Sequence, residues 1–160
     1  MEISDYDGRT SRDQITIMYE YKCKILKVVD GDTVDIDIDL GFNVWIHKER
    51  VRIFGIDTPE SRTSDKDEKV FGLASKHRLE ELLPVDTIQY LRTMKDPDGG
   101  DAKGKFGRIL GDFIVEDKSV AELLVEEGHA VAYHGQNKDD VQEQHMKNRQ
   151  RLINEGKVVL

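Results

Sequence analysis

The stretch that decides the fold is residues 33–56, TVDIDIDLGFNVWIHKERVRIFGI. Over residues 34–40, apolar side chains alternate strictly with aspartates, which predicts a strand with one face in a core and the other toward solvent. Residues 41–43 predict a turn, and residues 44–56 predict the returning strand of a hairpin. Neighbouring aspartates on one strand face are more typical of a solvated surface than of a metal site, so we interpret them as surface residues.

Two acidic turns flank this hairpin. The first is Asp30-Gly31-Asp32, which follows a long strand predicted within residues 15–29. The second runs from Asp57 to Glu60, and Pro59 between them ends the returning strand because it has no N–H for the strand ladder. Either turn by itself is explained as readily by ordinary turn chemistry as by function.

Arg52 is the unusual residue of the returning strand, because it brings a cation between the apolar Val51 and Ile53. The alternation puts it on the face opposite the apolar one, so a solvent-facing strand residue is one interpretation. If the two acidic turns meet in the fold, oxygen atoms of Asp32 and Asp57 surround one point beside Arg52. Oxygen ligands next to a guanidinium suit a hard divalent cation and a phosphate.

The remaining strands and helices are predicted from periodicity and from start and stop signals. Residues 61–69 predict a charged surface loop, and residues 70–83 predict a helix that ends at proline. Two more strands are predicted over residues 87–91 and 106–115. The loop between them, residues 95–104, is rich in glycine and acidic residues.

Two helices are predicted near the end of the chain. Ser119 and Glu122 form a capping box for a short helix that Gly128 closes. A last, weakly amphipathic helix is predicted over residues 140–154. Together with the five strands, this order predicts an α+β fold. A small closed barrel of the OB type is the leading candidate, although alternation alone leaves an open antiparallel sheet possible.

Length and composition indicate a single globular domain. The chain has 160 residues, of which 38% are hydrophobic. A domain of this length buries roughly two thirds of the surface that its unfolded chain exposes. We expect a flexible arm over residues 1–14, one domain over residues 15–156 and a short tail over residues 157–160. The arm is polar and acidic, unlike a signal peptide.

Other broad classes are disfavoured by the sequence. No apolar run approaches the ~18 residues of a membrane span, and Cys23 is the only cysteine, so no internal disulfide can form. We therefore expect a cytoplasmic protein without membrane or disulfide partners. We also expect it to be a monomer. The net charge of −8 argues against a protein that coats nucleic acid, but it allows an enzyme that contacts a few phosphates through a metal and arginines.

Three segments resemble the active-site segments of the staphylococcal-nuclease (thermonuclease) family, in the family's order. They are residues 29–34 (VDGDTV), residues 52–60 (RIFGIDTPE) and residues 105–108 (KFGR). Similarity continues at Phe71-Gly72, Gly128-His129-Ala130 and Glu143-Gln144-His145, and covers about residues 22–152. One segment alone is a weak signal, whereas all three in order with every catalytic side-chain type retained are specific.

The resemblance implies a five-stranded OB barrel with three α-helices and a calcium-dependent nuclease acting on DNA and RNA, with single-stranded or unstructured substrates preferred. It implies that Asp32 and Asp57 bind Ca²⁺ through their carboxylates and Thr58 through its backbone carbonyl. Glu60 would activate or orient the attacking water. Attack would expel the 5′-oxygen and leave a 3′-phosphate.

The resemblance also assigns the contacts to the substrate. Arg52 and Arg108 would hold the scissile phosphate, and Lys105 and Tyr133 fall where the family contacts the nucleotide. The chain departs from the family pattern in having Phe106 where a tyrosine is usual, and in a longer first hairpin. These departures bear on substrate preference rather than on the core chemistry.

Two other functional classes stay open. One is a catalytically weak or silent nucleic-acid-binding module with the same fold, in which the acidic and arginine positions are normally lost. The other is a plain single-strand-binding OB domain, which needs exposed aromatic residues along a basic groove, whereas aromatic residues are 7% of this chain. The five histidines lack metal-ligand spacing, so a zinc site is disfavoured.

Overall fold

The structure of the chain is a computed structural model that describes residues 17–94 and 107–160. The predicted arm, Lys105 and the whole predicted loop over residues 95–104 lie outside these ranges. The helices of the described ranges are α1 (Lys66–Leu82), α2 (Val120–Glu126) and α3 (Lys138–Asn154). The strands are β1 (Ile17–Asp30), β2 (Thr33–Asp39), β3 (Trp45–Ile53), β4 (Ile56–Asp57), β5 (Ile88–Met94), β6 (Ile109–Val115), β7 (Lys118–Ser119) and β8 (Val131–Ala132).

Five of these strands form a closed barrel. They are hydrogen-bonded in the order β3-β2-β1-β5-β6, with antiparallel neighbours throughout. The barrel closes because β3 and β6 pair in parallel, with Val51 opposite Ile109 and Ile53 opposite Gly111. The predicted α+β fold, a five-stranded barrel of the OB type with three helices, is confirmed.

The alternation in the opening hairpin separates the core from the surface as predicted. Val34, Ile36 and Ile38 of β2 are buried in the main hydrophobic cluster. The aspartates between them lie on the outer face. There Asp35 pairs with Arg50 at 2.9 Å, and Asp37 lies near His47 of β3. They are therefore surface residues of the hairpin, as interpreted from the sequence.

Several predicted boundaries differ from the observed ones. Helix α1 begins at Lys66, inside the predicted loop over residues 61–69, because the carboxylate of Asp65 accepts hydrogen bonds from the N–H groups of Asp67 and Glu68. Helix α3 begins two residues earlier than predicted, capped by Asn137. The capping box of α2 is confirmed on one side, where the N–H of Glu122 donates to the Ser119 hydroxyl at 3.1 Å.

The returning strand of the hairpin ends earlier than predicted. It stops at Ile53, and a turn through Gly55, whose φ is +83°, redirects the chain. Ile56 and Asp57 then form β4, which pairs with β8 in a separate two-stranded sheet. This turn carries Asp57 away from the barrel wall and toward the segment before α3. None of the helices in the described ranges is long and apolar enough to cross a membrane.

Candidate active site

A cleft of about 1060 Å³ lies between one end of the barrel and helix α3. It contains every predicted site residue that the structure describes; these are Asp32, Arg52, Asp57, Thr58, Glu60, Arg108 and Tyr133. They come from the β1–β2 turn, from β3 and the segment after it, from the residue before β6 and from the residue after β8. The two acidic turns therefore meet in the fold, as their sequence pattern allowed.

The register of β2 and β3 brings Asp32 to Arg52. Thr33 is the pairing partner of Arg52, and the N–H of Ile53 donates to the carbonyl of Asp32 at 2.8 Å. These backbone contacts hold the β1–β2 turn beside the end of β3. As a result, Nη2 of Arg52 lies 3.4 Å from Oδ2 of Asp32.

The guanidinium of Arg52 also fixes the chain that leads to Asp57. It donates hydrogen bonds to the carbonyl oxygens of Ile53 at 2.6 Å and Ile56 at 2.8 Å. Only 19% of its side chain is exposed, so the interpretation as a solvent-facing strand residue is wrong. One arginine thus connects the turn at Asp32 with the segment that enters Asp57, and it needs the planar fork of several N–H groups to do so.

The carboxylate of Asp57 contacts helix α3. Its Oδ2 lies 2.7 Å from Nε2 of His145, whose imidazole is 10% exposed. The sequence assigned no role to His145, although the Glu143-Gln144-His145 segment carried part of the resemblance. The available signal was its helical spacing from Val141 and Arg149, which also line the cleft.

Glu60 is held by its backbone against helix α1. A Cβ atom at Gly72 would lie 2.1 Å from the carbonyl oxygen of Glu60, so only a glycine allows the helix to pack this closely. The N–H of Glu60 is also 3.4 Å from the carboxylate of Glu68. Helix α1 therefore sets the position of the turn that presents Glu60 to the cleft.

A second glycine sets the position of the Asp32 turn. A Cβ atom at Gly31 would lie 2.9 Å from Cβ of Ser75 and 3.1 Å from Oγ1 of Thr58. The turn therefore packs directly on Thr58 and helix α1. Thr58 is buried, and its hydroxyl has no hydrogen-bond partner among the described residues.

The donor set of this corner fits a hard cation. The carboxylates of Asp32 and Asp57 line the cleft next to Thr58. The buried hydroxyl of Thr58 has no hydrogen-bond partner among the described residues. Within residues 17–94 and 107–160, no three His, Cys, Asp or Glu side chains are grouped for metal binding. Carbonyl and water oxygens would have to complete the shell, which suits Ca²⁺ with its 6–8 oxygen ligands and does not suit a structural zinc ion.

Arg108 and Tyr133 line the same cleft from other elements. Arg108 follows Gly107, whose φ of +74° turns the chain into β6. The N–H of Tyr133 donates to the carbonyl of Gly55 at 2.8 Å, and 46% of the tyrosine is exposed. The third predicted contact to substrate, Lys105, lies outside the described residues.

The cleft is richer in cations than the sequence reasoning expected. Besides Arg52 and Arg108, the basic residues that line it are Lys48, Arg50, Arg62, Lys138 and Arg149. They face a comparable number of acidic residues, although the whole chain has a net charge of −8. The negative excess is therefore carried elsewhere, and a phosphate chain meets no net repulsion from the residues that line the cleft.

Comparison with known proteins identifies the family. A model of the family described as "Staphylococcal nuclease homologue" matches residues 50–159. Endonuclease YncB of Bacillus subtilis (strain 168) is 34% identical over 108 residues, which are 67% of this chain and 46% of that protein. Thermonuclease of Staphylococcus intermedius is 32% identical over 108 residues, which are 68% of this chain and 57% of that protein.

The SPbeta prophage-derived endonuclease YokF of Bacillus subtilis (strain 168) is 35% identical over 108 residues, 67% of this chain and 33% of that protein. The chain thus spans about half, or less, of the length of these curated relatives. The family model nevertheless matches well over half of the chain, so the protein belongs to the staphylococcal nuclease homologue family.

Proposed function

We propose that the protein is a calcium-dependent nuclease that hydrolyses phosphodiester bonds in DNA and RNA. The observation that carries the proposal is that the two acidic turns meet at Arg52. Its guanidinium lies 3.4 Å from the Asp32 carboxylate and donates a hydrogen bond to the carbonyl of Ile56, the residue before Asp57. Glu60 and Arg108 line the same cleft. The names of the relatives, two endonucleases of Bacillus subtilis and a thermonuclease, support the same reaction class.

Asp32, Asp57 and the carbonyl of Thr58 are the residues that would hold the cation. Calcium bound there would polarise a phosphate oxygen and make a bound water more acidic. Their oxygen donors are hard ligands, and three protein ligands leave room for water and phosphate in a shell of 6–8.

The other residues act on the substrate itself. Arg52 and Arg108 would hold the scissile phosphate, since a planar guanidinium matches the equatorial oxygens on which charge builds. Glu60 would take a proton from, or orient, the attacking water. Water attack would break the bond from phosphorus to the 5′-oxygen and leave a 3′-phosphate, with Lys105 and Tyr133 contacting the nucleotide.

The test is cleavage of end-labelled single-stranded DNA and RNA by the full chain with calcium, with magnesium and with a calcium chelator. We expect cleavage in calcium, loss of cleavage in chelator, and little turnover in magnesium, because Mg²⁺ demands near-ideal octahedral geometry. The products should carry 3′-phosphates.

Three results would contradict the proposal in whole or in part. Full activity in chelator would exclude a calcium requirement. Binding of the oligonucleotides without cleavage under any metal would favour the silent nucleic-acid-binding module. A 5′-phosphate product would mean that the phosphate lies the other way round, and the roles given to Arg52 and Arg108 would have to be withdrawn.

A further inference from the structure

One face of helix α3 forms a wall of the cleft. The α3 residues that line it are Lys138, Val141, Gln142, His145 and Arg149. Apart from the adjacent pair at 141 and 142, they recur every three or four residues, as expected for one side of a helix. Among them, His145 is in hydrogen-bond contact with a proposed metal ligand. This contact joins residues that are 88 positions apart in the chain.

The geometry of the contact defines the role of each partner. Nε2 of His145 lies 2.7 Å from Oδ2 of Asp57, a distance that requires a proton between the nitrogen and the carboxylate. Since an ionised carboxylate only accepts hydrogen bonds, Nε2 of His145 is the donor. The imidazole of His145 is 10% exposed and the Asp57 side chain is 39% exposed. The more buried histidine therefore restrains the more accessible carboxylate.

Asp57 needs such a partner if it is to bind a cation. Its backbone is fixed by the pairing with Val131, but β4 has only two residues, and backbone pairing does not orient a carboxylate. A hydrogen bond to one carboxylate oxygen limits rotation of the group and leaves the other oxygen for a ligand. Hydrogen bonds of this kind to metal-binding carboxylates typically change metal affinity by about 10–100-fold.

We propose that His145 is a positioning residue that orients the Asp57 carboxylate for the cation. The inference rests on the proposed calcium site and adds helix α3 to it. His145 need not touch the cation, the substrate or the attacking water. Its effect should therefore appear first in calcium affinity, and turnover should recover when calcium is raised to saturation.

The alternative is that His145 only attaches α3 to the rest of the fold. Other contacts already serve that purpose: Leu152 packs with Phe71 and Val158, and Nδ2 of Asn148 donates to the carbonyl of Ala130 at 3.2 Å. Asn148 lies on the same helix but does not line the cleft. Asn148→Ala is therefore a matched control that removes an anchoring hydrogen bond of α3 without touching Asp57.

The experiment measures calcium binding to the full chain by calorimetry, without nucleic acid, for wild type, His145→Ala, His145→Gln and Asn148→Ala. We expect His145→Ala to weaken calcium binding by about 10–100-fold. His145→Gln should recover most of the affinity, because its amide N–H can donate to Asp57. Asn148→Ala should change the affinity less than about 2-fold even if it lowers the melting temperature, because its hydrogen bond goes to the Ala130 carbonyl and not to the Asp57 carboxylate.

A second measurement does not depend on the folding of a variant. In ¹⁵N-labelled wild type, the side-chain spectrum should show a proton on Nε2 of His145, and this signal should shift on calcium addition. An Nε2 without a proton, or unchanged calcium affinity in a folded His145→Ala, would overturn the positioning role. Failure of the wild type itself to bind calcium would instead overturn the proposed calcium site.

Discussion

At the scale of single residues, Glu60 is the carboxylate whose proposed role depends most on position. Its backbone is packed against Gly72 and lies near Glu68, so its carboxylate projects from a fixed turn. We expect Glu60→Gln to keep the fold and to reduce the cleavage rate by roughly 10²–10⁴-fold, because the amide has the shape of the acid without its basicity. Single-turnover cleavage of a labelled oligonucleotide measures this rate.

The matched control for Glu60→Gln is Glu126→Gln, which makes the same change in charge at an exposed position of α2. It should cleave like the wild type. Calcium affinity, measured in parallel, should be nearly unchanged in both variants, since Glu60 is not assigned as a ligand. Undiminished cleavage by Glu60→Gln would remove Glu60 from the mechanism, whereas a large loss of calcium affinity would make it a ligand instead.

The residues of the site differ in how far the sequence could predict them. Turn signals in the sequence lie close to Asp32, Arg52 and Asp57, so a prediction of strands and turns is enough to locate these three residues. His145 and Arg149 lie in a helix with many other polar residues, and only the packing of α3 beside β4 gives them a position at the cleft. The contact between His145 and Asp57 spans 88 positions of sequence, so the helical spacing of His145 could indicate its side of α3 but could not identify its partner.

At the scale of secondary-structure elements, α1 and the end of α2 are joined by an ion pair. Nε of Arg78 lies 2.6 Å from Oε1 of Glu127, and Nη2 lies 3.0 Å from Oε2, so the guanidinium binds both carboxylate oxygens. The hydrogen bonds from Arg78 hold the pKa of Glu127 below its ordinary value of 4.5, although burial opposes the shift. Both side chains are less than one third exposed.

This pKa shift sets the direction of a pH dependence. Because the folded state favours the charged form of Glu127, the contribution to stability is complete above pH 4.5 and is lost as the pH falls through the lower pKa of the folded state. We expect Glu127→Gln to reduce the free energy of unfolding at pH 7 by about 1–2 kcal/mol. Urea denaturation of wild type and variant between pH 7 and pH 3 measures the difference.

Glu155→Gln is the control for this pair. The pKa of Glu155 is also lowered, by hydrogen bonds from Arg151 and Lys157, but its ion pairs lie on the surface and should add little to stability. The stability gap between Glu127→Gln and wild type should close toward pH 3, while Glu155→Gln should follow the wild type throughout. A gap that stays constant over this range would show that the carboxylate charge of Glu127 is not its source.

The bounds of the strands and helices were predicted best where side-chain periodicity determines them. They were predicted worst where a helix cap or a turn determines them. The alternation in β2 predicted the strand, its buried face and its core residues at once, because one face of β2 is buried and the other is not. The start of α1 was misjudged since Asp65 looks like any acidic loop residue until its carboxylate caps the helix. The end of β3 was misjudged because Phe54-Gly55 continues the apolar run although Gly55 turns the chain.

At the scale of the whole molecule, Cys23 reports on the closure of the barrel. It lies on β1, which pairs with β2 on one side and β5 on the other, and it is fully buried. Burial raises the pKa of its thiol to about 12, so the reactive thiolate is scarce at neutral pH. We expect native protein to resist a thiol-specific reagent and unfolded protein in urea to react with one equivalent.

The rate of labelling tests how the barrel opens. If β1 is exposed only by complete unfolding, the free energy of opening obtained from thiol labelling should equal that from urea denaturation. Cys23 is the only cysteine of the chain, so the signal has a single origin. Rapid labelling of the native protein would mean that β1 separates from β2 or β5 while the rest of the barrel stays folded.

The architecture as a whole was predicted from the sequence, but the contact that closes the barrel was not. Antiparallel neighbours such as β2 and β3 are joined by a turn that the sequence reveals. The parallel pairing of β3 with β6 joins segments separated by β4, α1 and β5, so no turn signals it. The sequence could therefore favour a barrel over an open sheet without identifying the strands that close it.

The contact between Gly72 and Glu60 has a consequence for engineering. A glycine inside a helix is a common target for stabilisation, because alanine there usually gains about 0.5–1 kcal/mol of helix stability. In α1 the added methyl group would need the space that the Glu60 carbonyl oxygen occupies, 2.1 Å away. A thermostability campaign that replaced Gly72 would displace the turn that carries Glu60, and the packing lost between this turn and α1 would outweigh the gain in helix stability.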